Sequence, residues 1–249
     1  MPTRNDLFRK ILWFEKKLRF DSDTGFFEIM KPARSVSSNH RYRSGLFHSE
    51  KCGREVQYES GCELEFIRFL ETHASVLYYW EQPKAIPYWR GKIKAKTYPD
   101  FAVYLRSRQL ILVEIKPLAE MLCHRVQAKS EGVMEFCCRA GIGFLLTDGR
   151  HTPADLLRGT VNRKLEKELS EVLETGPIRK SQWLEIKSRT QATDSQLYRA
   201  IIRLDLKFAS FPFKLQRGKQ SPVFRKVYFE KKRYEDLFME NICSMFGKK

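Results

Sequence analysis

Three charged residues stand where a chain rarely places charge. In YPDFAVYLRSRQLILVEIKP, residues 98–117, Asp100 follows a proline, and Glu114 and Lys116 flank Ile115 inside the apolar run LILVEIKP. A charge on a buried strand carries a desolvation cost, so its presence asks for a partner or a task. Strand side chains alternate with period two, which sends Glu114 and Lys116 to one face and Val113 and Ile115 to the other. If the chain turns back between Arg106 and Gln109, Asp100 on the preceding strand comes alongside them. Two carboxylates at one sheet edge repel unless a cation lies between them, and their hard oxygens suit Mg²⁺, with Mn²⁺ as a substitute. Lys116 beside such an ion can orient a water or balance negative charge on a phosphate. That chemistry is hydrolytic nicking of a nucleic-acid strand. The plainer alternative is a salt bridge between Glu114 and Lys116 with no reaction attached.

A fourth acid belongs to the segment YESGCELEFIRFLETH, residues 58–73. Ser60 and Glu63 have capping-box spacing ahead of an apolar helical run, so the Glu63 carboxylate can simply fold back on the helix start. Alternatively it reaches across to the metal site, holding a second ion or the attacking water. Glu59 and Glu65 are neighbours that compete for that role, and Glu63 is the favoured one.

The elements that must position these groups follow from pattern. Asn5 to Arg19 carries apolar residues at helical spacing. VLYYWEQP and AIPYWRG read as strands, KIKAKTYPDFAVYL and RQLILVEIKP as a hairpin, Leu118 to Ala140 as a helix, and GIGFLLTD as a buried strand. That order gives an α/β fold with a mixed sheet flanked by helices. From Thr152 the texture turns helical and charged. RKSQWLEIKSRT and ATDSQLYRAIIRLDLKFA read as two helices, with Thr193 or Asp194 as N-cap, and FPFKLQRGKQSPVFRKVYF as a hairpin around residues 217–219. Two helices and a basic hairpin suggest a winged helix-turn-helix, the alternative being a small helical domain that only packs on the first. We therefore place an endonuclease-like domain over residues 1–150 and a mainly helical, winged-helix-like domain over residues 151–249. The tail spaces Leu237, Phe238, Ile242, Met245 and Phe246 on one helix face, fit to dock on its own core or on a partner.

Composition narrows the partner. The chain has 249 residues, with 46 Lys and Arg against 30 Asp and Glu, a formal charge of +16. An excess this large favours a polyanion, most simply nucleic acid. The segment from Lys31 to Arg54 is basic and turn-rich, either an arm that orders on phosphate or a solvated loop. No run approaches the ~20 apolar residues of a membrane span, and the first residues lack an apolar signal-peptide centre. The 6 cysteines show no C-x-x-C spacing and the 5 histidines are scattered. The expectation is a reduced, cytoplasmic chain with neither a disulfide nor a zinc framework.

Taken in order, YESGCELEFIRFLE, YWEQP, YPDFAVYL, LVEIKP and GFLLTD resemble the PD-(D/E)xK nucleases, and more closely the TnsA-type endonuclease subunits of heteromeric cut-and-paste transposases. The motifs cover about residues 45–150, with a looser likeness beyond. The resemblance implies a restriction-endonuclease-like fold that nicks the 5′ ends of a transposon on double-stranded DNA. A partner DDE transposase would process the 3′ ends, and an AAA+ ATPase regulator would couple both to target selection. It implies a bacterial, nucleoid-associated chain. Carried over by position, the helix acid is Glu63, the strand acid Asp100 and the lysine Lys116, with the Ile115 carbonyl as a further metal ligand. The position two before the lysine can be glutamine in that family; Glu114 here restores the general nuclease pattern. Leu237, Phe238 and Ile242 become a candidate surface for the ATPase. Two other readings stand beside this one: a stand-alone restriction- or repair-type nuclease, and a non-catalytic DNA-binding adaptor.

Overall fold

A computed structural model describes residues 4–14, 44–90 and 93–237 of the chain. These fall into two compact units: one takes the described residues up to Pro117 together with Lys129–Thr152 and residues 233–237, the other Leu118–Ala128 and Pro153–Lys232.

The first unit is built on a four-stranded sheet in the order β3 (Val76–Glu81), β6 (Phe101–Leu105), β7 (Leu110–Ile115), β8 (Gly143–Thr147). The β3–β6 and β6–β7 pairs are antiparallel, while β7 and β8 run parallel. A parallel neighbour needs a crossover, supplied by a 3-10 turn over Leu118–Leu122 and helix α2 (His124–Ala140). All six residues of β7 are buried, as expected of a central strand. Helix α1 (Gly61–Thr72) buries Phe66, Ile67, Phe69 and Leu70. These join Phe101, Val103, Ile111, Val113 and Ile115 in one apolar core. Alternation then leaves Glu114 on the opposite face of β7.

Two hairpins accompany the sheet: β1 (Gly45–Ser49) with β2 (Arg54–Tyr58), and β4 (Ile86–Arg90) with β5 (Ile93–Thr97). The first corrects the reading of the basic segment as arm or loop, because its part from Gly45 onward is paired strand; residues 31–43 lie outside the described residues. The second splits the expected single strand KIKAKTYPDFAVYL at Tyr98–Asp100. Pro99 has no N–H to continue a ladder, so β5 ends in its own ribbon and β6 starts afresh in the sheet. The N-terminal periodic stretch also differs from its reading. Arg4–Lys10 is a 3-10 turn, after which Leu12 exchanges backbone hydrogen bonds with Phe144 at 2.9 and 3.0 Å. The rest of that expected helix, residues 15–19, lies outside the described residues.

The β4–β5 ribbon meets α2 at Gly132, where an added Cβ would lie 2.4 Å from Tyr88 Cβ. Alanine normally favours a helix over glycine by about 1 kcal/mol. Here overpacking by about 1–3 kcal/mol should outweigh that gain, so Gly132→Ala is expected to lower the thermal midpoint. A raised midpoint would mean that the ribbon yields freely.

The second unit runs α3 (Arg163–Thr175), β9 (Ile178–Arg179), α4 (Lys180–Thr190), α5 (Asp194–Arg203), β10 (Lys207–Ser210), β11 (Phe213–Gln216) and α6 (Pro222–Tyr228). Its strands form a three-stranded antiparallel sheet ordered β10-β11-β9. Thr193 is the N-cap of α5, its hydroxyl accepting from Gln196 N at 3.2 Å. The hairpin lies earlier than its sequence reading: it turns at Phe211-Pro212, and the stretch after residue 219 is a helix. The local signal was there, because Ser221 caps the helix with Pro222 at its first position. In the terminal segment, which belongs to the first unit, Leu237 is 3% exposed and Tyr234 packs edge-on against Phe14. Leu237 is therefore core and not an open docking residue, whereas Phe238, Ile242, Met245 and Phe246 lie outside the described residues. Among the described residues, no helix is long and apolar enough to cross a membrane.

Candidate active site

Register brings the strand residues together. Phe101 pairs with Val113, so the next rung sets Asp100 opposite Glu114, with both side chains on one face. Lys116, two residues beyond Glu114, shares that face. Its backbone N–H continues the parallel ladder by donating to Thr147 O at 2.9 Å, so the lysine is held at the end of the strand.

The side chains close into a compact cluster. Asp100 Oδ2 accepts from Ile115 N at 2.5 Å, which fixes its carboxylate against the end of β7. The Lys116 ammonium lies 2.9 Å from Glu114 Oε1 and 3.3 Å from Asp100 Oδ2, and it donates to Ile115 O at 2.8 Å. One ammonium thus touches both acids and the backbone carbonyl. These are three of the four groups expected to hold a metal, the carbonyl through the resemblance and Glu63 being the fourth, and Lys116 is their resident counter-cation.

Burial sets the electrostatics. The Glu114 carboxyl is pushed up to about 7, first by burial and then by the Asp100 charge, with Lys116 pulling the other way. Burial works against the Lys116 ammonium, but Asp100 and Glu114 outweigh it and hold the pKa above the ordinary lysine value. Lys129, half-buried on α2, is a further cation that lowers Glu114. Sequence reasoning missed it: nothing in spacing links a helix residue to a strand residue fifteen positions earlier, and only the crossover brings them together.

Glu63 does what the capping-box reading describes. Its oxygens accept from Ser60 Oγ at 2.9 Å and from Glu59 N at 2.8 Å, while Glu63 N donates to Ser60 Oγ at 3.2 Å. It is nonetheless within electrostatic reach of the cluster. Burial raises its pKa first and the Asp100 charge adds to that, while Lys116 opposes. Of its rivals, Glu65 pairs with Arg68 at 2.6 Å on the exposed side of α1.

Among the described residues, no three His, Cys, Asp or Glu side chains form a set able to hold a metal. The donors at the cluster nevertheless fit a hard divalent cation. Glu114 Oε2 is buried without a hydrogen-bond partner, and an orphaned carboxylate oxygen there is costly unless a cation satisfies it. Two carboxylates and a carbonyl suit Mg²⁺ or Mn²⁺ far better than zinc, which takes nitrogen and sulfur ligands.

Comparison with protein-family models gives no match, and comparison with curated proteins gives no significant one.

Proposed function

We propose that this chain is a metal-dependent DNA endonuclease of the TnsA type, nicking transposon 5′ ends within a heteromeric transposase. The observation that carries this reading is the set of Asp100, Glu114, Lys116 and the Ile115 carbonyl at adjoining strand ends, with one Glu114 oxygen buried and unpartnered. Mg²⁺ held by Asp100, Glu114 and Ile115 O would polarise the scissile phosphate and lower the pKa of a bound water. Lys116, which bonds the same three groups in the metal-free chain, would on displacement by the ion stay beside them to orient that water or to stabilise the negative charge that develops on the phosphate. Glu63 supplies further negative potential and, freed from Ser60, a further ligand.

The folds support the reading. An antiparallel β3-β6-β7 sheet, a crossover helix and a parallel β8 support a restriction-endonuclease-like reading of the first unit. In the second unit, the consecutive helices α4 and α5 followed by the β10–β11 hairpin support a winged-helix reading, in which α5 would be the recognition helix. The partners in this reading are double-stranded DNA, a DDE transposase and an AAA+ ATPase.

The test is 5′-end cleavage in a reaction reconstituted with those partners. Asp100→Ala should lower it by about a hundredfold or more. Cleavage that survives the substitution would mean that the site is misassigned, and specific cutting by the chain alone would favour a restriction- or repair-type nuclease. One observation favours the adaptor reading: the Lys116 ammonium already pairs with one oxygen of each acid, as it would in a purely structural charge cluster. DNA binding without any Mn²⁺ binding would support that reading.

A further inference from the structure

The β4–β5 ribbon has no part in the cluster, yet it ends at Thr97, three residues before Asp100. Its seat is tight from the base as far as Tyr88, which packs on Gly132. Ile86 is 1% exposed and its cross-strand partner Thr97 is 3% exposed, whereas Ile93 is 69% exposed although it lies on the same face as Thr97. Burial that falls away along one face means that the far half of the ribbon stands clear of the protein. On the other face, Trp89 is 63% exposed directly opposite Lys94, and exposed Pro87 lies opposite exposed Lys96. Residues 84–97, KAIPYWRGKIKAKT, contain five cations and no acid.

An exposed aromatic between lysines fits a nucleic-acid contact, where the ring packs on sugars or bases and the cations meet phosphates. The absence of any acid excludes a basic partner and favours phosphates. A two-stranded ribbon is also the right size for a DNA groove, about 12 Å wide on the major side. We propose that the β4–β5 ribbon is a duplex-DNA grip, with Lys94 and Lys96 on the phosphate backbone and Trp89 packed against sugar or an opened base step. This rests on the nuclease reading and extends it: because the ribbon leads through Tyr98 and Pro99 into Asp100, duplex held on it is tethered next to the catalytic cluster.

The test uses the full chain and a labelled 30-base-pair duplex of arbitrary sequence, without added metal, titrated by fluorescence anisotropy at several salt concentrations. Lys94→Gln with Lys96→Gln should weaken binding about tenfold and flatten the slope of log affinity against log salt by about two. Trp89→Ala should weaken binding several-fold, while Trp89→Phe largely retains it. Since Trp183 is buried and Trp13 and Trp80 are half-buried, quenching of tryptophan emission by unlabelled duplex should drop in the Trp89→Phe protein. All three positions are exposed, and matching thermal midpoints will show that the variants fold. Unchanged affinity and slope in the double variant would overturn the ribbon assignment and leave the nuclease reading standing. Variants that alter self-association in sedimentation but not duplex binding would assign the ribbon to a protein contact instead. A wild-type chain that binds no duplex would overturn both readings.

Discussion

Replacing Lys116 by methionine is expected to tighten Mn²⁺ binding about tenfold at pH 8 while lowering cleavage by about a hundred- to a thousandfold. The two effects have one origin. The ammonium is bonded to Asp100, Glu114 and Ile115 O, the same groups that would hold the ion. An ammonium and a divalent cation ~3.5 Å apart repel by about 9 kcal/mol at an effective dielectric of about 20. Both cannot keep their places, so Lys116 must withdraw before the oxygens are available. Methionine keeps the unbranched stem and removes the competing charge. Calorimetry with Mn²⁺ and the reconstituted cleavage reaction read the two halves separately. Equal or weaker metal binding in the variant would show that the ammonium organises the acids and does not compete for them. Working at pH 8 matters, because loss of Lys116 pushes Glu114 further toward its protonated form.

Glu114 gives the second large effect, on stability. Its carboxyl titrates near 7 when folded, against about 4.5 for an ordinary glutamate. A raised acid means that the folded chain holds a proton which the unfolded chain has already released. The contribution of Glu114 to stability is therefore full below about 4.5, is lost as pH climbs to about 7, and then stays constant. At about 1.4 kcal/mol per unit the loss reaches about 3 kcal/mol at most, and the raised carboxyl of Glu63 adds in the same direction. Chemical denaturation in EDTA across pH 4 to 8 measures it. Glu114→Gln should remove most of the slope and stabilise the metal-free chain at pH 8. Mn²⁺ should restore the wild-type stability at high pH, because the ion satisfies the same oxygens. A flat wild-type profile would show that Lys116 alone already neutralises the site.

Much of the Asp100, Glu114 and Lys116 cluster was legible in the chain because it depends on short-range rules. Period two puts Glu114 and Lys116 on one face, and a turn at residues 106–109 leaves few registers that bring Asp100 elsewhere. Ser60 and Glu63 declared their cap through spacing alone. Where local signals conflict, pattern and structure part. Proline at 99 broke a strand that its β-branched and aromatic neighbours extended, and Ser221-Pro222 started a helix inside an apparently alternating run.

Other features are decided at long range. Lys129 comes within electrostatic reach of Glu114 only because the parallel β7–β8 pair forces a crossover, and no local pattern encodes which helix turn faces the strand. The resting partner of the two acids is likewise a tertiary matter: sequence offers a lysine near two carboxylates, but only the packed strand ends place its ammonium on all three oxygens at once. Glu63 had two places to go, and the helix start, two hydrogen bonds away at no conformational cost, holds it. Residue types and spacing determined the chemistry available to this protein. The fold decided which charges touch, because contact between groups far apart in the chain is fixed by the burial of everything around them.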